Sequence, residues 1–142
     1  MISIAPKLGS PEFQTLPLKT DENVVALRKL VREQLVAINF SLVDQTKCVT
    51  AASELARNTL KYGGGGQVRF SVLAADGSLG LCLVFIDAGP GIKDVPQALT
   101  DGFTTQGGLG LGLGGARRLV DEFDIESEPG KGTTVRIVKW KK

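Results

Sequence analysis

The chain has 142 residues, the length of one domain, with 42% hydrophobic and 23% charged residues, the balance of a globular core that needs no disulfide or metal staples. Seventeen Lys and Arg against 15 Asp and Glu leave a net charge of +2, which gives no ground for a nucleic-acid or membrane partner. With no histidine, the chain cannot carry a Ser-His-Asp triad, a HExxH zinc site or a phosphohistidine relay.

Cys48 and Cys82 lie far apart in apolar surroundings and read as small core residues, in keeping with a reducing cytoplasm. The longest apolar run, Leu79–Ile86, contains Gly80 and is far shorter than the roughly 18 residues of a membrane span. Met1–Gly9 lacks the charged start and apolar stretch of a signal peptide. Residues 1–12 read as an N-terminal extension or cloning remnant, and residues 13–142 as the domain.

Phe13–Leu18 alternates in the manner of a strand, and Pro17 places it at a sheet edge. Thr20 or Asp21 caps a helix in which Val24, Leu27, Val31, Leu35 and Ile38 recur at helical spacing to about Asn39. Ser41 and Asp44 form a Ser-x-x-Asp capping signature for a second helix, with Cys48, Ala52, Leu55 and Thr59 on one face, ending near Tyr62 at four consecutive glycines. Gln67–Ala74 and Leu79–Asp87 make a hairpin around Asp76-Gly77, and the second strand, nearly all apolar, is central. A Gly/Pro loop, a short helix at 94–99 and a polar, then glycine-rich stretch follow. Leu113–Phe123 reads as a third helix, and Asp124–Glu128 with Thr133–Trp140 as a last hairpin. Lys139, Lys141 and Lys142 read as a solvated basic end. This order predicts an α+β two-layer sandwich: a mixed, mostly antiparallel sheet with helices on one face.

Three clusters are candidates for chemistry. Glu54 and Asn58 are four apart on the second helix, so their Cβ atoms share a face at about 5–6 Å. A carboxylate can take a hydroxyl proton, and a carboxamide oxygen suits Mg2+, which keeps several waters and needs few protein ligands. Lys61 can add positive charge on that face. The alternative is a solvated polar stripe with a Glu54–Arg57 pair. Asp87 ends a buried strand and begins Asp-Ala-Gly-Pro-Gly91, where a carboxylate would accept from the exocyclic amine of adenine and the glycines leave room for a flat ring. The alternative is an Asp that opens a turn. Seven glycines fall between Gly102 and Gly115, and their backbone amides can form a nest for phosphate oxygens ahead of a helix. Gly110, Gly112 and Gly115 match GxGxxG, but the polar segment Asp101–Gln106 stands where a dinucleotide-binding site needs a hydrophobic strand. No glycine run continues into Lys-Ser/Thr, which excludes a Walker A loop.

Glu-x-x-x-Asn, then Asp-x-Gly-x-Gly, then Gly-x-Gly-x-Gly, in this order, resembles the GHKL (Bergerat-fold) ATP-binding family from Phe13 to the C-terminus. Ser53–Asn58, Asp101–Thr105, Gly107–Leu113 and Arg118–Phe123 are most similar to the RsbT-type switch serine/threonine kinases of the stressosome, relatives of the anti-sigma-factor kinases. The resemblance implies ATP and Mg2+ as cofactors. It implies Glu54 as the catalytic carboxylate and Asn58 as the magnesium ligand. Asp87 would accept from adenine N6, with Gly89 and Gly91 shaping the pocket and Thr133 assisting, often through water. Asp101–Gly112 would be an ATP lid in which Gly108, Gly110 and Gly112 contact phosphate. It also implies phosphorylation of STAS-domain antagonist or scaffold proteins, with a PP2C-type phosphatase or a sigma factor as further partners. The alternative is an anti-sigma factor that holds a sigma subunit, with nucleotide as the switch.

Overall fold

The computed structural model describes residues 13–99 and 112–142. The extension 1–12 and most of the proposed lid, including Gly108 and Gly110, lie outside the described residues.

The elements follow in the order β1 (Gln14–Leu18), α1 (Asp21–Ala37), α2 (Leu42–Lys61), β2 (Gly66–Ala75), β3 (Ser78–Asp87), α3 (Val95–Ala98), α4 (Gly112–Arg118), β4 (Glu122–Glu128) and β5 (Gly132–Trp140). Local chemistry explains their ends. Thr20 caps α1 reciprocally: its Oγ1 accepts from Asn23 N at 3.2 Å, and Asn23 Oδ1 accepts from Thr20 N at 3.1 Å. At the other end, Asn39 turns left-handed at φ +63°, Asn39 N donates to Val36 O, and Phe40 N donates to Leu35 O, a Schellman closure with Phe40 and Leu35 both buried. Ser41 caps α2 by accepting from Asp44 N at 3.1 Å. The Asp44 carboxylate faces Lys139 Nζ at 3.6 Å.

The five strands form a sheet in the order β1-β2-β3-β5-β4, with β3 at the centre and the Pro17-containing β1 at an edge. All four pairings are antiparallel, so the two-layer α+β arrangement holds with no parallel pair among the described strands. Ala75 pairs with Ser78, leaving Asp76 (φ +50°) and Gly77 (φ +79°) as a two-residue loop of the type that matches strand twist.

The main core lies between the helices and one sheet face. Leu27, Val31 and Leu35 of α1, Cys48, Ala52 and Leu55 of α2, and Val68, Leu83, Phe85 and Ile137 of the sheet are all buried there. Each large side chain of this kind stabilises the fold by roughly 1.5–3 kcal/mol. On the other sheet face a smaller cluster joins Leu73, Cys82, Val84 and Val138, with Trp140 packed beside it. The indole lies over Gly80, where an added Cβ would meet Trp140 Cε3 at 2.6 Å.

Two expectations are corrected. The helix expected over Leu113–Phe123 stops at Arg118, and β4 starts at Glu122 rather than Asp124. Three glycines in seven residues make α4 a weak helix. Leu119 N closes a tight turn onto Ala116 O, and Asp121 N then donates to Val138 O, so the chain joins β5 early. Phe123 and Ile125 alternate onto the core face. The C-terminal lysines are also not a uniformly solvated end. Lys139 is 5% exposed and paired with Asp44, and Lys142 Nζ donates to Asp121 Oδ1 at 2.7 Å.

Candidate functional site

A cavity of about 880 Å3 opens between the C-terminal half of α2, the loop after β3, α3, the start of α4 and the adjoining ends of β3 and β5. Its size suits a small-molecule or cofactor site. Glu54, Asn58, Lys61, Asp87, Gly91, Gly112 and Thr133, all proposed from the sequence, line it together.

Glu54 sits on the buried face of α2, 7% exposed. Its Oε2 accepts from Gly112 N at 3.3 Å, and its Oε1 lies 3.8 Å from Arg57 Nη1. The Glu54–Arg57 pair of the alternative reading is present, but the carboxylate is not a solvated surface group. Asn58, one turn on, faces the same cavity, and its backbone carbonyl accepts from Tyr62 N and Gly63 N as α2 ends. Lys61 is exposed at the cavity wall.

Asp87 ends β3 opposite Thr133 of β5, and Thr133 in turn lies opposite Ser127 of β4. Asp87 Oδ1 accepts from Gly89 N at 2.9 Å and from Thr133 N at 3.2 Å. The turn-opening role is therefore real, and among the described residues it engages Oδ1. The glycines around Asp87 serve close chain approach. A Cβ on Gly63 would fall on the Asp87 carboxyl group, and one on Gly89 would come within 2.6 Å of Gly63 Cα. Gly89, expected to shape the pocket, does not line the cavity and instead packs on Gly63. Gly91, at φ +78°, lines it while abutting the Glu128 backbone.

Gly112 opens α4 at φ +72°. Its amide is directed at Glu54, not left open for a phosphate. The structure also adds Tyr62, Ile92, Lys93 and Leu113 to the walls. Tyr62 was legible as the end of α2 and Leu113 as an apolar residue after the glycine run, but nothing in the sequence pattern singled out Ile92 or Lys93. Asn58 and Glu54 offer an amide and a carboxylate one helical turn apart on the cavity wall, a pair that fits Mg2+ arriving with its own waters and phosphates.

Comparison with known proteins agrees with this geometry. Residues 43–142 match the family described as histidine kinase-, DNA gyrase B- and HSP90-like ATPases. The chain is 44% identical over 123 residues to the serine/threonine-protein kinase RsbT of Bacillus subtilis, covering 87% of this chain and 92% of that protein. It is 28% identical over 128 residues to an anti-sigma F factor of a Thermoanaerobacter species, covering 87% of this chain and 89% of that one. Among solved structures it resembles the RsbU and RsbW domains of Rv1364c from Mycobacterium tuberculosis, with a TM-score of 0.60 and 25% identity over 91% of this chain. The match spans about a third (32%) of that longer protein. This chain belongs to the histidine kinase-, DNA gyrase B- and HSP90-like ATPase family, the GHKL class. It is an enzyme, a serine/threonine protein kinase that uses ATP.

Proposed function

We propose that the protein transfers the γ-phosphoryl group of ATP, with Mg2+, to a serine or threonine of a STAS-domain antagonist or scaffold protein, as a partner switch in a bacterial stress-response pathway of the stressosome kind. The observation that carries this reading is the placement of Glu54 and Asp87, from different elements, on the walls of one cavity. In this reading Asp87 Oδ2 accepts from adenine N6, since Oδ1 already holds two backbone amides. Thr133 assists at the base, and Asn58 holds the metal. Mg2+, when bound, neutralises charge on the phosphates. Gly108 and Gly110 of the lid supply amides to the phosphates, while the Gly112 amide holds Glu54, and Lys61 adds positive charge at the cavity wall. Glu54 takes the proton of the acceptor hydroxyl. Phosphoryl transfer is mostly positioning and charge stabilisation, so this small set of groups is sufficient.

No described helix is long and apolar enough to cross a membrane. We place the kinase in the cytoplasm, where both ATP and such partners are found. The likeness to an anti-sigma F factor supports a second reading, in which the domain holds a sigma subunit or engages a PP2C-type phosphatase with nucleotide as the switch. The test is incubation with γ-labelled ATP, Mg2+ and purified STAS-domain proteins. Label on a serine or threonine of one of them supports the kinase reading. Tight, nucleotide-dependent capture of a sigma subunit with no label transferred supports the second.

A further inference from the structure

Ser127 belongs to none of the motifs above, yet its hydroxyl lies at a junction of the cavity's supports. Ile92 N donates to Ser127 Oγ at 2.8 Å, Thr133 Oγ1 lies at 2.7 Å, and Gly132 O lies at 3.2 Å. The β4–β5 register puts Ser127 directly opposite Thr133, and the β3–β5 register puts Thr133 opposite Asp87. The three side chains thus form a row across three strands, with Ser127 behind Thr133.

A serine hydroxyl has one proton and two acceptor sites. The Gly132 carbonyl can only accept, so the Ser127 proton serves it. The Ile92 amide fills one acceptor site. The remaining site takes the Thr133 hydroxyl proton, and at 2.7 Å that bond is short and well formed. All of the bonding capacity of Ser127 is then used. Thr133 Oγ1 is left with lone pairs only toward the cavity, beside Asp87, whose Oδ1 is already engaged. The same hydroxyl ties the start of the Ile92 loop to β4.

We infer that Ser127 is a positioning residue for nucleotide binding: it fixes the rotamer and proton of Thr133 so that Thr133 meets the bound base, or a water on it, as an acceptor. This rests on the nucleotide reading of the cavity. The test is calorimetric titration of Mg·ATP into Ser127→Ala, Thr133→Val and the double variant, with phosphorylation measured at saturating ATP. Loss of one hydrogen bond that orients a binding group predicts a Kd raised about tenfold in Ser127→Ala. The same change in the Thr133→Val background should cost less than about threefold, because the hydroxyl it orients is already gone. Phosphorylation at saturating ATP should stay within about twofold, since the effect is on binding rather than on the reacting atoms. Ser127→Thr, which keeps the hydroxyl, should bind ATP normally. An unchanged Kd in Ser127→Ala, or the same loss in both backgrounds, overturns the proposal. Should Ser127→Ala not fold, Ser127→Cys, somewhat larger and with only a weak donor and acceptor, makes the same comparison. Asp87→Asn separates the two levels: normal ATP binding there overturns the nucleotide reading itself, whereas weakened binding there with unchanged Ser127→Ala overturns only the role of Ser127.

Discussion

Glu54 Oε2 accepts a hydrogen bond from Gly112 N at 3.3 Å, joining α2 to the first residue of α4 across 58 positions of sequence. The acid proposed to act on the acceptor hydroxyl is thus also the point where the chain leaving the glycine run is fastened. Glu54→Gln keeps an oxygen that can accept from Gly112 N and removes the base. It should bind ATP within about threefold of the parent, while phosphorylation falls by about 10²-fold or more. Calorimetry and a label-transfer assay on the same preparation check both halves.

Asp87→Asn retains an oxygen for Gly89 N and Thr133 N, so the β3–β5 junction should hold. The second atom then becomes a donor facing the donor amine of adenine. ATP affinity should fall at least tenfold, with little change in melting temperature, because a site built to pair a polar group is left unpaired. Titration of ATP beside a thermal melt separates the two effects.

Gly63 and Gly64 offer a paired test of close approach. A Cβ on Gly63 would occupy the Asp87 carboxyl, whereas one on Gly64 meets nothing within 4 Å but must accept φ +73°. Gly63→Ala should cost about 1–3 kcal/mol and abolish tight ATP binding. Gly64→Ala should cost about 1–2 kcal/mol for the left-handed backbone and keep ATP binding. Chemical denaturation with and without ATP distinguishes them.

Burial pushes the Cys48 thiol up to about 12, against the lowering effect of nearby Lys139, and pushes Cys82 up to about 11, against Arg136. Neither thiolate is populated near neutral pH. A thiol reagent at pH 8 should modify neither cysteine in the native protein and both in denaturant. Rapid labelling of the native protein would contradict their placement in the core.

At the C-terminal end, burial raises the Asp121 pKa. The hydrogen bonds from Lys142 Nζ and Trp140 N, with the charges of Lys139 and Lys142, outweigh that and hold the carboxyl below its ordinary 3.8. A depressed carboxyl pKa stabilises the fold above the ordinary value, and that contribution disappears as pH falls through the folded-state value. Asp121→Asn should therefore cost about 0.5–1 kcal/mol at pH 7, a small figure because the site is largely solvated. Parent and variant should converge as pH falls through the folded-state value, which denaturation curves at pH 7 and at successively lower pH would show.

Much of the fold was legible because its signals are local. The β2–β3 hairpin follows from Asp76-Gly77, which the chain uses as a two-residue loop, and the buried stripes of α1 and α2 follow from helical spacing. The α4–β4 boundary was not legible, since Leu119 to Phe123 is apolar enough for either element and pairing with β5 decides it. Lys139 misled for a related reason: charge is visible in sequence, but the Asp44 that permits its burial lies 95 positions away. Within the site, residue types and order disclosed Glu54, Asn58 and Asp87, whereas Ser127 acts through a hydrogen bond to Thr133 that only the β4–β5 register brings about. Gly89 lies against the Gly63 backbone, a close approach that its residue type allows but its position in the sequence does not announce.

The most direct test is a crystal structure with a non-hydrolysable ATP analogue and Mg2+. The account predicts the adenine amine at Asp87 Oδ2, Thr133 at the base edge, the metal on the Asn58 amide and the γ-phosphate on the Glu54 side of the cavity. An analogue bound elsewhere, or a base that leaves Asp87 Oδ2 without contact, would contradict it.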